Sequence, residues 1–330
     1  MTTVARAPGK IFVTGEYAVL AGAPAVVVAV DRYAECRVTP IAAGPSVVES
    51  LVEACRERVA DQRHGDAGAV AAALAVIRER GLAAPEHVDV VVDARPFVVG
   101  RKKLGLGRSA ATLAAAVGAL LGPDGADGVF ACALAANDLF QGGRGSGADV
   151  AAAVHGGVVE VRRRGLDVAV AARLLPPGLH LLVGWTGESA STLPLLERFA
   201  ASAPVPTLDR LAATAEAAAE AVARGDAGTL LDAVDRSADV LAELGRDAGI
   251  PIVTPALERL VTSARRAGAA AKPSGAGGGD CGIALAASPA EADAVRAAWG
   301  AAGIVALPLD IAPDGVRAAI LPAAPEASVG

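Results

Sequence analysis

A short glycine-containing stretch, Lys103–Thr112, has residue types that could hold a phosphate group. In it Gly105 and Gly107 alternate with leucines, Ser109 follows, and an Ala/Leu-rich run continues to Leu121. This pattern predicts a tight loop that leads into the N-terminus of a buried helix. The first N–H groups of a helix lack internal partners, and the helix dipole makes that end positive, so this end attracts anions. Because the glycines of the loop have no side chains, an anion can come close to the backbone there. The sequence therefore predicts a phosphate-binding loop, with a simple turn before a helix as the alternative.

The same residues also fit a dinucleotide-binding pattern, G-x-G-x-x-A, from Gly105 to Ala110. That pattern requires a strand that ends at the first glycine and an acidic residue about 20 residues later at the end of a second strand. The nearest predicted strand, Val88–Val92, ends well before Gly105, and Asp124 and Asp127 stand in a segment that contains Gly and Pro. The dinucleotide interpretation is therefore disfavoured.

Two further glycine-rich loops occur later in the chain, at Gln141–Asp149 and at Lys272–Gly282. In the second loop, Ser146 and Asp149 have the spacing of a capping box, so these residues could also serve only to start a helix. Three such loops in one chain are harder to explain as simple turns than a single loop would be. None of them fits a Walker A motif, and the His-Arg-Asp and Asp-Phe-Gly motifs of protein kinases are missing from the sequence.

Two other stretches carry polar groups that could act on an anionic ligand. Lys10 follows a Pro-Gly turn at the start of an apolar strand, where the alternative is an ordinary lysine on a sheet edge. The hydroxyl-rich segment Thr186–Thr192 follows the predicted strand His180–Trp185. It could contact a polar ligand or form a capped helix start.

The elements that must position these loops are strands and helices in mixed order. Hydrophobic periodicity predicts strands at Ala25–Asp31, Val88–Asp93 and His180–Trp185. The sequence Pro176-Pro177-Gly178 interrupts regular secondary structure and predicts a domain boundary near Ala172–Gly178. The predicted helices are Val47–Ala60, Asp66–Arg80, the run to Leu121, Asp127–Leu139, Leu208–Arg224, Ala227–Leu244, Thr254–Ala267 and Pro289–Trp299, the last with a Ser288/Glu291 capping box.

Composition narrows the class of protein. The 330 residues suffice for two domains, and with 53% apolar but only 3% aromatic residues the core must be built from Ala, Val and Leu. The net charge of −6, with acids and bases interspersed, predicts neither a nucleic-acid partner nor a membrane-surface partner. No signal-peptide layout or spanning apolar run occurs, and the four cysteines are scattered without metal-ligand spacing, so a cytoplasmic protein is expected.

The sequence resembles a known family, the GHMP kinases. The resemblance rests on Ala7-Pro-Gly-Lys10 with Gly15-Glu16, on Gly105 to Ala111, and on Ser274 to Asp280, in the family's order and spacing across nearly the whole chain. Within the superfamily, Gly15-Glu-Tyr-Ala-Val, Gly184 to Thr192 and Lys272 to Gly282 are most similar to the phosphomevalonate kinases.

The resemblance implies an α+β kinase of two domains. Residues 1–174 would be like ribosomal protein S5 domain 2 and would carry the ATP loop, and residues 175–330 would be ferredoxin-like. It implies ATP-dependent phosphorylation of 5-phosphomevalonate to the diphosphate, with ATP and Mg²⁺ as cofactors, a small-molecule acceptor as partner, and a monomer or homodimer. The alternatives are mevalonate kinase or another GHMP small-molecule kinase, and, in another class, a GHMP-fold ligand sensor without catalysis.

The resemblance also assigns roles to residues. Lys10 would lie near the transferring phosphoryl group, and Asp149 would be a catalytic base or an orienting residue. Residues implied to bind the nucleotide are Lys103, Gly105, Leu106, Gly107, Arg108, Ser109, Ala110, Gly275, Gly277 and Gly278, with Ser109 also a ligand of Mg²⁺. Residues implied to bind the acceptor are Glu16, Tyr17, Arg144, Ser146, Ser191, Thr192, Ser274 and Asp280.

One position departs from the family's pattern. Residue 108 is usually a small Ser in these kinases, and here it is Arg. A guanidinium at this position could neutralise phosphate charge, turn to solvent or fill the nucleotide site. The expected orientation of Arg108 is toward phosphate.

Overall fold

The computed structural model describes residues 1–143, 145–165, 167–190, 195, 197–199 and 205–322. Its strands are β1 Thr3–Thr14, β2 Pro24–Pro40, β3 Val47–Ser50, β4 Cys55–Arg58, β5 Val88–Asp93, β6 Val98–Val99, β7 Lys102–Lys103, β8 Val158–Arg164, β9 Asp167–Arg173, β10 His180–Trp185, β11 Ala270–Pro273, β12 Cys281–Ala286, β13 Val305–Leu307 and β14 Arg317–Ile320. Its helices are α1 Gly65–Glu79, α2 Arg108–Leu121, α3 Val129–Gln141, α4 Ala148–His155, α5 Val205–Arg224, α6 Ala227–Asp247, α7 Pro255–Arg266 and α8 Pro289–Ala301.

The larger sheet has eight strands, in the order β14-β1-β2-β5-β3-β4, with β8 also paired to β2 and β9 paired to β8. The long strand β2 organises it, because its first part pairs with β8 and its second part with β5. Its run of Val and Ala residues from Ala25 to Val30 is buried, as expected for a strand covered on both faces. Alanine-rich α1 and α2 pack together with β5 in one core cluster, where small side chains let helix and sheet approach closely.

The smaller sheet has four strands in the order β11-β12-β10-β13. Helices α7 and α8 pack on it, and Trp299 of α8 is fully buried in the same core cluster. Its indole Nε1 donates to the carbonyl of Leu260 at 3.0 Å, which satisfies the one polar atom of this large core residue. The mixture of two largely antiparallel sheets with helices confirms the predicted α+β class.

The predicted division at residue 174 falls between β9 and β10 and stays a prediction. The last strand, β14, belongs to the larger sheet although it lies near the C-terminus, since Arg317–Ile320 pairs antiparallel with Thr3–Arg6 of β1. A segment of the expected C-terminal half therefore completes the N-terminal sheet.

One predicted helix, Val47–Ala60, is wrong. These residues form the hairpin β3–β4, and β3 pairs in parallel with β5. Pairing with β5 on one edge and β4 on the other gives the backbone of β3 partners on both sides. Val48 is buried there, so tertiary context overrides a pattern that is typical of a helix. Ala54, with φ of 50°, makes the reversal.

Most other predicted elements are confirmed. The strands Val88–Asp93 and His180–Trp185 have the predicted bounds. The predicted N-cap of α8 forms, since Ser288 Oγ accepts from the amide of Glu291 at 3.2 Å. The Glu291 carboxylate accepts at 2.9 Å from the amide of Ala287, one residue before the position that a capping box uses. Among the residues that the structure describes, no helix is both long and apolar enough to cross a membrane.

Candidate active site

The first glycine loop covers an open edge of β1. Strand β14 pairs with β1 only as far as Arg6, and beyond it the amide of Lys10 donates to the carbonyl of Leu106 at 2.8 Å. A Cβ on Gly9 would lie 2.7 Å from that carbonyl oxygen, so glycine at this position allows the loop to approach the strand. The predicted Pro-Gly turn is wrong, since Pro8 and Gly9 lie inside β1, at a shift in its register with β2, and Lys10 lies within the strand rather than at its start. Lys10 is therefore not a lysine on a bare sheet edge. The Leu106 side chain is buried in the core, so Leu106 could reach a ligand only through its backbone.

Lys10 lies directly across the loop that begins α2. Its side chain is only 8% exposed, and a Cβ on Gly107 would lie 2.8 Å from Lys10 Cε. Gly107 has a φ of +78° and precedes α2 without any side-chain cap that the described residues provide. Ser109, in the first turn, is exposed. The first amides of α2 thus have no described side-chain cap and lie next to a lysine, an arrangement that attracts anions.

Asp280, from the third glycine loop, meets the first loop at Gly105. A Cβ on Gly105 would lie 2.3 Å from Asp280 Cβ, so only glycine fits there. The carboxylate accepts from the amide of Ala190 at 3.1 Å and lies 3.7 Å from Lys103 Nζ. Burial raises the pKa of Asp280, and the charges of Lys103 and Lys10 oppose that shift. Asp280 therefore joins two of the predicted loops, and its carboxyl group lies beside Lys103.

The segment 186–190 contacts the hairpin β6–β7 that carries Lys103. Ser189 Oγ accepts from the amide of Lys103 at 3.2 Å, and Lys102 Nζ donates to the carbonyl of Gly187 at 2.7 Å. The sequence interpretation missed Lys102 and Ser189 as site neighbours. The hydroxyl-rich composition of Thr186–Thr192 was the signal for this contact, but its partner hairpin is more than 80 residues away.

The predicted acceptor contacts Arg144, Ser191 and Thr192 lie outside the described residues. Two others, Glu16 and Tyr17, are buried and direct their polar atoms at the third glycine loop. Ser274, within that loop, bonds to the backbone of Phe12. Direct contact of these side chains with an acceptor stays a prediction.

Asp149 lies in the first turn of α4, half-buried. Ser146 Oγ accepts from the amide of Ala148 at 3.2 Å and supports the start of the helix. Helix α4 packs on β1, where Phe12 and Ala148 share one core cluster. Lys10 Nζ lies 5.0 Å from the centre of the Phe12 ring, so the packing brings the helix of Asp149 to the strand of Lys10.

The third glycine loop is held in an unusual backbone conformation. Gly275, Gly277 and Gly278 have φ values of +87°, +77° and +77°, and Asp280 has a φ of 56°. A Cβ on Gly277 would lie 2.2 Å from the carbonyl oxygen of Ile252. The loop therefore depends on glycine for both its conformation and its fit.

Arg108 does not point to bare solvent. Its Nη2 donates to Glu53 Oε1 at 3.1 Å, and its Nε lies 3.9 Å from Asp66 Oδ1. Asp66 is 2% exposed and accepts from Ser50 Oγ at 2.7 Å, while Glu53 accepts from the amide of Asp66 at 3.3 Å. The guanidinium thus compensates two neighbouring carboxylates.

We expect the substitution Arg108→Ser to lower the melting temperature by roughly 1–2 °C, since a partly exposed ion pair is worth about 1 kcal/mol and Glu53 and Asp66 lose their counter-ion. An unchanged melting temperature would contradict a stabilising pair. The KM for ATP across a magnesium series then decides a second question. A raised KM assigns a phosphate contact to Arg108 as well, whereas an unchanged KM limits it to the ion pair.

The site offers few groups for a metal. Within the described part of the chain, no group of three or more His, Cys, Asp or Glu residues could hold a metal ion. The exposed hydroxyl of Ser109 fits a Mg²⁺ ion that takes most of its ligands from phosphate and water. Two cavities, of about 350 and 560 Å³, lie along α6, and no predicted site residue lines them.

Known proteins are similar to this chain over most of its length. The family model for the C-terminal region of GHMP kinases matches residues 218–305. The chain is 35% identical to the phosphomevalonate kinase of Streptomyces sp. strain CL190, over 96% of this chain and 98% of that protein. It is 32% identical to the mevalonate kinase of Aeropyrum pernix, over 85% of this chain and 87% of that protein.

Solved structures show the same fold at lower identity. Streptococcus pneumoniae phosphomevalonate kinase, in complex with phosphomevalonate and AMPPNP, has a TM-score of 0.80 at 22% identity and covers 93% of this chain and 99% of its own. A Listeria innocua protein, Lin0012, has a TM-score of 0.83 at 24% identity over 97% and 99% of the two chains. The similarity to these kinases shows that the chain is a phosphotransferase. The chain belongs to the GHMP kinase family.

Proposed function

We propose that this protein transfers the terminal phosphoryl group of ATP to the phosphate of 5-phosphomevalonate and releases ADP and 5-diphosphomevalonate. The observation that carries the proposal is the meeting of Lys10, Lys103 and Asp280 at the uncapped start of α2. Similarity to a phosphomevalonate kinase along nearly the whole chain supports the choice of acceptor.

The site supports transfer chiefly by position and charge. An oxygen of the acceptor phosphate would attack the terminal phosphorus of ATP, and the bond to the bridging oxygen of ADP would break. Because that attacking oxygen is already anionic at neutral pH, a strong base matters less than cations that reduce the repulsion between two phosphates. Lys10 and Lys103 would supply those cations, and the first amides of α2 would hold the phosphates of ATP.

Mg²⁺, when bound, would neutralise phosphate charge during the transfer. Ser109 is the residue that we propose as its protein ligand. Asp149 would orient the acceptor or the lysine from the first turn of α4. The glycines of the third loop would support the phosphates from the opposite side.

A second candidate is mevalonate kinase activity, because the chain is also 32% identical to a mevalonate kinase. Its acceptor is a hydroxyl group, which must lose a proton during attack. Asp149 would then serve as a general base. The two candidates make opposite demands on the site, since a hydroxyl acceptor needs a base and a phosphate acceptor needs extra cations.

We expect kcat/KM for 5-phosphomevalonate to exceed that for mevalonate at least 100-fold, because the additional phosphate would meet Lys10 and Lys103 and each charged hydrogen bond contributes about 1.5–3 kcal/mol. Release of ADP, measured with both acids at equal enzyme and magnesium concentrations, tests this. Equal or better turnover of mevalonate would overturn the proposed acceptor. Absence of turnover with any acid of the mevalonate series would instead favour a ligand sensor.

We further infer a cytoplasmic enzyme that acts as a monomer or homodimer. The four cysteines are free in the structure, which supports a reducing compartment. Sedimentation of the purified protein would establish the oligomeric state.

A further inference from the structure

The first and third sequence motifs meet in a buried ion pair that the proposed reaction does not use. Lys272 Nζ donates to Glu16 Oε1, and it also donates to the carbonyl of Pro273 at 2.7 Å. Lys272 is fully buried and Glu16 is 4% exposed. Burial lowers the pKa of Lys272, and the Glu16 carboxylate opposes that shift. Removing two charges from water is costly, so a pair of this kind calls for a role beyond stability.

The same carboxylate also holds the third glycine loop. Glu16 Oε1 accepts from the amide of Gly275 at 3.2 Å. The neighbouring Tyr17 donates its hydroxyl to the carbonyl of Ala276 at 2.5 Å, and its ring packs on Phe199 with centroids 4.7 Å apart. Burial is the main reason why the pKa of Tyr17 is raised, so the phenol remains a donor. Two successive residues of the chain thus bind two successive residues of the loop.

Ser274 closes the loop onto β1. Its hydroxyl accepts from the amide of Phe12 and donates to the carbonyl of Phe12, both at 2.9 Å. The Phe12 ring lies 5.0 Å from Lys10 Nζ. The third glycine loop is therefore fixed to β1 at Phe12, which is only two residues from Lys10 along the strand.

We propose that Glu16, Tyr17, Lys272 and Ser274 form a loop clamp, a set of positioning residues that fixes the third glycine loop relative to Lys10 and the first loop. The clamp acts through the loop backbone and need not touch the acceptor. A loop with several residues at positive φ keeps its conformation only if contacts with surrounding residues stabilise it. The hydrogen bonds of the clamp are such contacts. The kinetic part of this proposal rests on the proposed function, whereas the structural part does not.

The test measures amide hydrogen exchange of residues 274–281 in the whole 330-residue chain without added ligand. In Lys272→Met and in Glu16→Gln we expect exchange at least tenfold faster than in the wild type, because each leaves one buried charge unpaired and loosens the loop. In Tyr17→Phe, which keeps the ring packing, we expect about fivefold faster exchange, the equivalent of one net hydrogen bond. The proposed clamp would be overturned if exchange of the loop were unchanged in Tyr17→Phe and also in at least one of the two charge variants.

Two controls make the result specific. Arg162→Met breaks another ion pair, in which Arg162 bonds Glu160 and Glu216, and should leave exchange of the loop unchanged. The double variant Glu16→Gln/Lys272→Met should be closer to the wild type than the sum of the single effects, since it leaves no unpaired charge. Additive effects would contradict a coupled pair. If a single charge variant fails to fold, Tyr17→Phe and the double variant decide the question.

Kinetics then separates positioning from direct acceptor binding. A positioning role predicts that Tyr17→Phe lowers kcat/KM for ATP and for the acceptor alike, together with the faster exchange. A direct contact predicts a raised KM for the acceptor alone, with exchange of the ligand-free loop unchanged, and this pattern would overturn the proposal. If the proposed acceptor were wrong, the exchange result would still stand, so the two proposals fail separately.

Discussion

The substitution Lys10→Ala is expected to lower kcat by roughly 10²–10³, because one preorganised charge aimed at a developing negative charge contributes that much in comparable sites. The structure gives a reason for this size. Lys10 is only 8% exposed and its side chain lies against Gly107, so water has little access to its ammonium group. A buried cation keeps its attraction to phosphate better than one screened by water.

The measurement is steady-state ADP release at saturating ATP and acceptor, with circular dichroism to establish the fold. Arg6→Ala is a matched control, since Arg6 lies on the same strand with a side chain 67% exposed and paired to Glu35. It should keep near-full kcat. A folded Lys10→Ala variant with wild-type kcat would remove Lys10 from the reaction.

For Asp149→Asn we expect a fall in kcat of about 10² with little change in melting temperature. The substitution keeps shape and hydrogen-bonding capacity but removes the negative charge, which would orient Lys10 or the acceptor. Helix α4 should form as before, because Ser146 supports its first turn from outside. The loss should therefore appear in kcat rather than in stability.

Rate measurements on Asp149→Asn are compared with those on Glu258→Gln, a substitution of another acid in the first turn of a helix, here α7. Glu258 is exposed and contacts neither glycine loop by any described hydrogen bond, so its variant should have normal activity. If Asp149→Asn also retains activity, Asp149 serves only the start of α4. A much larger loss than that of Lys10→Ala would favour a hydroxyl acceptor, which needs a base.

The local chemistry of the site could be predicted from single stretches of sequence. Glycines at 105 and 107 need positive φ, and both have φ of +78°. The Ala-rich run after them forms α2, and Ser288 with Glu291 starts α8. These features depend on backbone geometry and on contacts within a few residues, which the sequence encodes directly.

The partners of the polar side chains could not be predicted in the same way. Arg108 contacts Glu53, an ion pair that the sequence did not reveal, and its expected contact with phosphate stays a prediction. Glu16 and Tyr17 bind the backbone of a loop about 259 residues away, and their expected contact with the acceptor stays a prediction. Each of these contacts joins segments that are adjacent only after the sheets have formed.

The sequence by itself determined that this protein has glycine loops next to a lysine-bearing strand, because glycine, proline and apolar periodicity act on the nearest residues. Only the tertiary structure decided which charges meet there, and it also turned the predicted helix at Val47–Ala60 into the hairpin β3–β4. The physical reason is that a charged or β-branched side chain has several partners of similar energy along the chain. Burial and strand pairing between distant segments select one of them.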